Sequence, residues 1–70
     1  MDATTQKQLT EALTREHIEF DEEKEWVWVY TFLNTELRIA KEIAKDFELS
    51  FTQYLPIDTK HDKAGEYIIK

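Results

Sequence analysis

The sequence predicts a two-layer α+β fold, with two helices on one face of a mostly antiparallel sheet of about four strands. Two observations predict it: apolar residues recur at helical spacing in two segments, and they alternate with polar residues in four others. These segments follow one another in the order α-β-β-α-β-β. A length of 70 residues predicts a single small domain over 1–70, near the size at which folding buries only about 60% of the unfolded surface.

The first half of the chain is predicted to begin with a helix and a strand. The helix is expected over residues 4–17, with a capping box that begins at Thr5 and a narrow apolar stripe. His17 ends this helix, where a protonated imidazole would complement the negative end of the helix dipole. Apolar and acidic residues then alternate over 18–22, which predicts a half-buried strand, and the polar cluster at 21–24 predicts a turn.

The central strand is predicted over residues 25–33, because this segment consists largely of β-branched and aromatic residues. Side chains alternate across a strand, so both faces of this one are apolar. One face carries Trp26, Trp28, Tyr30 and Phe32, and the other carries Val27, Val29, Thr31 and Leu33. The helices can cover one of these faces, and the sequence leaves open which one.

The second half of the chain repeats this order of elements. A strongly amphipathic helix is expected from an N-cap at Asn34 or Thr35 to about Phe47, where the usual terminating glycine is missing. The remaining predicted elements are a strand over 49–55 ended by Pro56, a polar loop over 58–65 and a final strand over 66–70.

The leading candidate for a functional surface is the sheet face that carries Trp26, Trp28 and Tyr30, joined by Tyr54 from the third strand; it is called the aromatic face below. If the valines pack beneath the helices, these aromatic side chains are exposed, and exposed apolar patches commonly mark interfaces. A homodimer joined sheet to sheet, or a docked partner protein, would then cover them. The alternative is that the aromatic side chains form the core and the valines face outwards.

Two groups of charged residues give alternative hypotheses. They are an acidic run, Glu19, Asp21, Glu22, Glu23 and Glu25, and a basic stripe on the second helix, Arg38, Lys41 and Lys45. The acidic run either mimics DNA and blocks a basic protein or is a solvated turn and strand edge, which we favour. The basic stripe would make a weak DNA contact. The 15 acidic and 9 basic residues give a formal net charge of −6, which disfavours a general nucleic-acid binder.

The sequence offers few groups for catalysis. It has no cysteine and a single glycine, which excludes thiol chemistry, thiolate metal sites and glycine-rich phosphate loops. His61 with Asp58 and Asp62 would form only a loose, exposed metal trio. We therefore expect no enzymatic activity, no metal and no other cofactor, and the sequence identifies no small-molecule substrate.

The apolar segments are all shorter than the 18 or so residues that a membrane-spanning helix needs, and the N-terminus lacks the pattern of a secretory signal. We therefore expect a cytoplasmic protein without a membrane partner. The favoured function is a non-enzymatic protein–protein interaction module or small regulator that uses the aromatic face. A nucleic-acid-related protein, either the acidic mimic or the weak binder, is the alternative.

Overall fold

The structure, a computed structural model, describes residues 1–54 and 65–70. It contains two helices and a four-stranded antiparallel sheet, which confirms the predicted α+β fold. The elements in chain order are α1 (Ala3–Arg15), β1 (Glu19–Glu22), β2 (Val27–Thr31), α2 (Asn34–Asp46), β3 (Phe51–Tyr54) and β4 (Gly65–Ile69). Most of the predicted polar loop, including the His61 trio, and the predicted strand end at Pro56 lie outside the described residues.

The strands lie side by side in the order β1-β2-β4-β3, so β2 and β4 are central and β1 and β3 are the edges. All three neighbouring pairs are antiparallel. Trp28 of β2 lies opposite Asp21 of β1 on one side and opposite Ile68 of β4 on the other. This register decides which side chains become neighbours on each face of the sheet.

The two halves of the chain have the same architecture, since each contributes a 13-residue helix followed by two strands. Exchanging β1 with β3 and β2 with β4 leaves both the strand order and the register unchanged. Phe20 pairs with Val29 in the first half, for example, as Phe51 pairs with Ile69 in the second. Positions in the shared parts of the strands, such as Phe20 and Phe51 or Trp28 and Ile68, are therefore structural counterparts, although the strand bounds of the two halves do not coincide.

The core lies between the helices and the sheet face that carries the valines. Both helices bury their apolar residues there, and the aromatic residues of β2 are not part of it. The fully or almost fully buried apolar residues are Leu9, Leu13, Ile18, Val27, Val29, Ala40, Ala44 and Ile69. Since both helices pack on this side and side chains alternate along β2, the aromatic face points away from the helices.

The start of α1 differs from the predicted one. Asp2 is the N-cap residue, and its Oδ1 accepts a hydrogen bond from the backbone N–H of Thr5 at 2.7 Å. The capping box expected to begin at Thr5 is therefore wrong. An ionised carboxylate in this position also complements the positive end of the helix dipole, and the hydrogen bond holds the pKa of Asp2 below its usual value.

The start of α2 is capped from within the helix. Leu33 occupies the N-cap position that was expected for Asn34 or Thr35, and a leucine side chain has no acceptor. Instead the Glu36 carboxylate accepts the backbone N–H groups of Phe32 and Leu33, at 2.7 and 3.0 Å. This is one half of a capping box, and it ties the end of β2 to the first turn of α2.

Both helices end in the same way, without glycine. His17 after α1 and Glu48 after α2 adopt left-handed backbone conformations, with φ of 59° and 57°. The backbone N–H groups of the next residues, Ile18 and Leu49, then reach back five residues to helix carbonyls at 2.9 Å each. These are Schellman motifs, and they turn Ile18 and Leu49 towards the core.

Gly65 is the first residue of β4, so its expected place in the preceding loop is corrected. It makes room for an aromatic ring: a Cβ atom on Gly65 would lie 2.5 Å from the Cε2 atom of Tyr67. The Tyr67 ring in turn stacks on Phe51, with ring centroids 4.7 Å apart and planes inclined by 14°. These two rings close the core on the β3 side of the sheet.

Candidate interaction surface

The aromatic face is centred on β2. Val27 and Val29 are fully buried, whereas Trp28 and Tyr30, which alternate with them, are half-buried on the opposite side. Trp26, in the predicted strand but one residue before β2, is also half-buried. The described part of the chain therefore presents three neighbouring aromatic side chains on the side of the sheet that the helices do not cover.

Carboxylates of the edge strand β1 flank these aromatic residues. Asp21 lies opposite Trp28 in the register, and Glu19 lies opposite Tyr30. The Tyr30 hydroxyl donates a hydrogen bond to Oδ2 of Asp21 at 2.9 Å, which places the Asp21 carboxylate on the aromatic face. Directly opposed side chains in an antiparallel pair have Cβ atoms about 5 Å apart, so acidic and aromatic groups are in contact range along this edge.

The β4 neighbours of the aromatic residues differ in character along the strand. Glu66 lies opposite Tyr30 and Ile68 lies opposite Trp28. Beyond the end of β4, the Nζ of Lys70 lies 5.8 Å from the centroid of the Trp26 ring, within the range of a cation–π contact. The aromatic face thus carries a cation at one end and carboxylates towards the other.

Burial and charge both act on the Tyr30 phenol. They raise its pKa to about 12, with burial as the largest cause and the hydrogen bond to Asp21 as the next. The negative charges of Asp21, Glu66 and Glu19 add to the increase, since each disfavours a phenolate. Tyr30 is therefore a neutral hydrogen-bond donor with three carboxylates nearby.

The indole of Trp26 is half-buried at one end of the aromatic face. Its Nε1–H is buried and has no hydrogen-bond partner among the residues that the structure describes. Leaving such a donor unpaired costs about 1–3 kcal/mol. The cation–π contact with Lys70 offsets part of this cost.

The predicted fourth member of the aromatic face, Tyr54, is described only through its backbone. Tyr54 pairs with Glu66 in the register, on the side of β4 away from Tyr30. Its side chain lies outside the described part of the structure. The face is therefore defined here by Trp26, Trp28 and Tyr30.

The acidic run does not form one surface. Strand alternation sends Glu22, which pairs with buried Val27, to the opposite side of β1 from Asp21. Glu23 and Glu25 lie in the connection between β1 and β2, and all five predicted acidic residues are exposed. Only part of the run, the carboxylates of Glu19 and Asp21, is placed beside the aromatic residues.

The basic stripe lies on the other layer of the molecule. Arg38, Lys41 and Lys45 are exposed on α2. Arg38 lines a shallow groove of about 470 Å³ between the two helices, whose rim also carries the acidic residues Glu42 and Asp46. The acids on this rim offset the positive potential that a phosphate backbone would require.

Sequence reasoning missed one exposed apolar pair. Phe32 and Leu33 were expected to continue the central strand, yet they follow β2 and are 51% and 61% exposed. The signal that could have located the strand end is Glu36, whose spacing from Leu33 is that of a capping box. The pair lies at the β2–α2 connection.

Comparison of the chain with protein-family models, with curated proteins and with solved structures finds no match. Within residues 1–54 and 65–70, no group of three or more histidine or acidic side chains is arranged to hold a metal ion. The helices of this described part are also too short and too polar to cross a membrane.

Proposed function

We propose that this chain is a non-enzymatic protein–protein interaction module that binds its partner through the aromatic face. The observation that carries this proposal is the division of β2, whose valines are buried beneath the helices while Trp28 and Tyr30 point to the other side. Aromatic side chains supply large contact areas at low entropic cost, and they are enriched at the centres of interfaces.

The counterpart positions in the second half of the chain support this proposal. Under the exchange of β2 with β4, Trp28 corresponds to Ile68, and the same offset matches Trp26, which precedes β2, with Glu66 and Tyr30 with Lys70, which follows β4. Two of these three counterparts are charged, so the fold itself accepts polar residues there. Aromatic residues at all three positions are therefore not required by the strand arrangement that the two halves share.

The residue chemistry of the chain supports a binding role over catalysis. It contains no cysteine, and the titratable groups of the aromatic face are carboxylates, the Lys70 ammonium group and a phenol that stays neutral at physiological pH. Its histidines lie away from this face in the sequence, at positions 17 and 61. The net charge of −6 supports a protein partner over nucleic acid.

Site-specific photo-crosslinking tests the proposal. The photoreactive residue benzoylphenylalanine is placed at Ile68, in the middle of the aromatic face, and separately at Lys41 on α2 as a matched control. Irradiation in cells that produce the protein should give adducts from position 68 that a Trp28→Thr substitution removes. Adducts from position 41 alone, or from neither position, would contradict the proposal. Circular dichroism of each variant establishes that it is folded.

A further inference from the structure

We propose that the occupant of the aromatic face is a cationic segment of a partner protein, whose arginine or lysine side chains lie against Trp28 and Tyr30. This inference rests on the proposed function and identifies the partner by its charge. Three features carry it: the carboxylates that border the face, a cation–π contact that the chain already makes there, and the counterpart positions in the second half of the chain.

The charge of the face selects a cationic occupant. Its described charged groups are the carboxylates of Glu19, Asp21 and Glu66 and the single cation of Lys70. A second copy of the chain would bring the same excess of carboxylates against them, and like charges brought together at an interface cost free energy. A segment with several arginine or lysine side chains would instead be attracted, since the chain as a whole carries −6.

Lys70 shows how such a segment binds. Its ammonium group lies 5.8 Å from the Trp26 ring centroid, so one end of the aromatic face already accommodates a cation. Arginine and lysine side chains are attracted to the faces of tryptophan and tyrosine rings. A cation of the partner at the Trp28 ring would also lie within reach of Asp21, its neighbour across the strand pair.

Asp21 is oriented for this role. Its Oδ2 accepts the hydrogen bond from Tyr30, which fixes the carboxylate beside the rings. The same carboxylates contribute to the raised pKa of Tyr30, so the negative potential reaches the middle of the face. An arriving cation therefore meets an ordered charge, and less side-chain entropy is lost on binding than with a mobile glutamate.

Protection of a sheet edge does not by itself explain the acids at positions 19 and 21. β1 and β3 are both edge strands, and the positions of Glu19 and Asp21 in β1 correspond to Ser50 and Thr52 at β3. The second edge thus carries hydroxyl groups where the first carries carboxylates. Acids are placed next to the aromatic residues and are absent from the counterpart positions, as a binding site for cations requires.

A titration with defined peptides tests this inference. The probe is a 12-residue peptide of alternating arginine and serine, and the control peptide alternates glutamate and serine. Binding is followed by tryptophan fluorescence and by backbone amide NMR shifts of the labelled protein. We expect the arginine peptide to bind, with shifts concentrated in β1, β2 and β4, and the glutamate peptide to leave the spectra unchanged.

Two variants, each lacking one negative charge, distinguish binding at the aromatic face from general electrostatic attraction between the peptide and the protein. Asp21→Asn removes one carboxylate of the face but keeps an acceptor for Tyr30, and Glu42→Gln removes one from the helix layer. Loss of one partly exposed charge pair should weaken binding about two- to fivefold for Asp21→Asn. Glu42→Gln should leave it unchanged. Equal weakening by both variants, or no binding by wild type, would overturn the inference.

Further measurements distinguish failure of the cationic partner from failure of the interaction module. Sedimentation equilibrium that shows a dimer, dissociated by Trp28→Thr, would assign the face to a second copy and overturn the cationic partner. Adducts at position 68 that depend on Trp28, combined with no affinity for the arginine peptide, would retain the interaction module and reject its cationic partner. If no adducts at position 68 depend on Trp28 and the arginine peptide does not bind, both proposals are rejected.

Discussion

The left-handed residues that end the two helices give a quantitative test of the fold. Glu48 has a φ of 57°, a conformation that costs a residue with a Cβ atom about 1–2 kcal/mol and glycine far less. Glycine loses about 0.5–1 kcal/mol more backbone entropy on folding. The substitution Glu48→Gly should therefore stabilise the protein by about 0.5–1 kcal/mol through the backbone alone.

Charge adds to this gain at Glu48. A carboxylate next to the C-terminus of α2 opposes the negative end of the helix dipole, which costs about 0.3–1 kcal/mol. The total for Glu48→Gly is then about 0.8–2 kcal/mol. His17→Gly removes a residue of the same conformation without an acidic charge, so its gain should be the smaller one.

Urea unfolding followed by tryptophan fluorescence measures these changes. With an m-value of about 1 kcal/mol/M for so small a domain, Glu48→Gly should raise the midpoint by about 0.8–2 M. Glu48→Gln is the matched control, because it removes the charge but keeps the Cβ atom, and it should give only the dipole contribution. Glu42→Gly, within the exposed face of α2, should instead cost about 1 kcal/mol. If Glu48→Gly is no more stable than Glu48→Gln, the left-handed helix end is refuted.

Two further predictions concern the opposite faces of the sheet. Gly65→Ala would bring a Cβ atom to 2.5 Å from the Tyr67 ring, so this ring must move off Phe51. The free energy of unfolding, measured with urea, should fall by about 0.5–1.5 kcal/mol. An unchanged free energy of unfolding would contradict this position of the Tyr67 ring. The pKa of Tyr30 is about 12 against an ordinary 10.0, so its contribution to stability is complete below pH 10 and is lost as the pH rises towards 12. Absorbance titration should show a phenolate step near pH 12 that Tyr30→Phe removes, and Asp21→Asn should lower the pKa of Tyr30. Titration curves near pH 12 that are the same for wild type and Tyr30→Phe would contradict the assignment.

The asymmetry between the two halves connects the fold with the proposals. The strand order and the register are shared by both halves, as are the helix lengths and the glycine-free helix ends. The chemistry of the side chains on the aromatic face is not shared. The register is the same at the paired positions, so differences such as Asp21 against Thr52, or Trp28 against Ile68, are not required by the strand pairing, and both proposals draw on them.

The sequence by itself determined the class of fold, since hydrophobic periodicity reports directly on which residues an element must bury. The periodic positions Leu9 and Leu13, and Ala40 and Ala44, are the ones that the helices bury. Element ends were predicted less well. Caps depend on individual hydrogen bonds, such as that from the Thr5 N–H to Asp2, which several nearby residues compete to make.

Only the tertiary structure decided which face of β2 is covered. Both faces of this strand are apolar, so alternation alone gives no preference between Val29 and Trp28. The choice follows from the helices, which pack against the valine side and bury it completely. The pairing of β2 with β4 rather than β3 was also beyond the sequence, because strand order depends on contacts between distant segments. That pairing sets Glu66 beside Tyr30 and so completes the acidic border of the aromatic face.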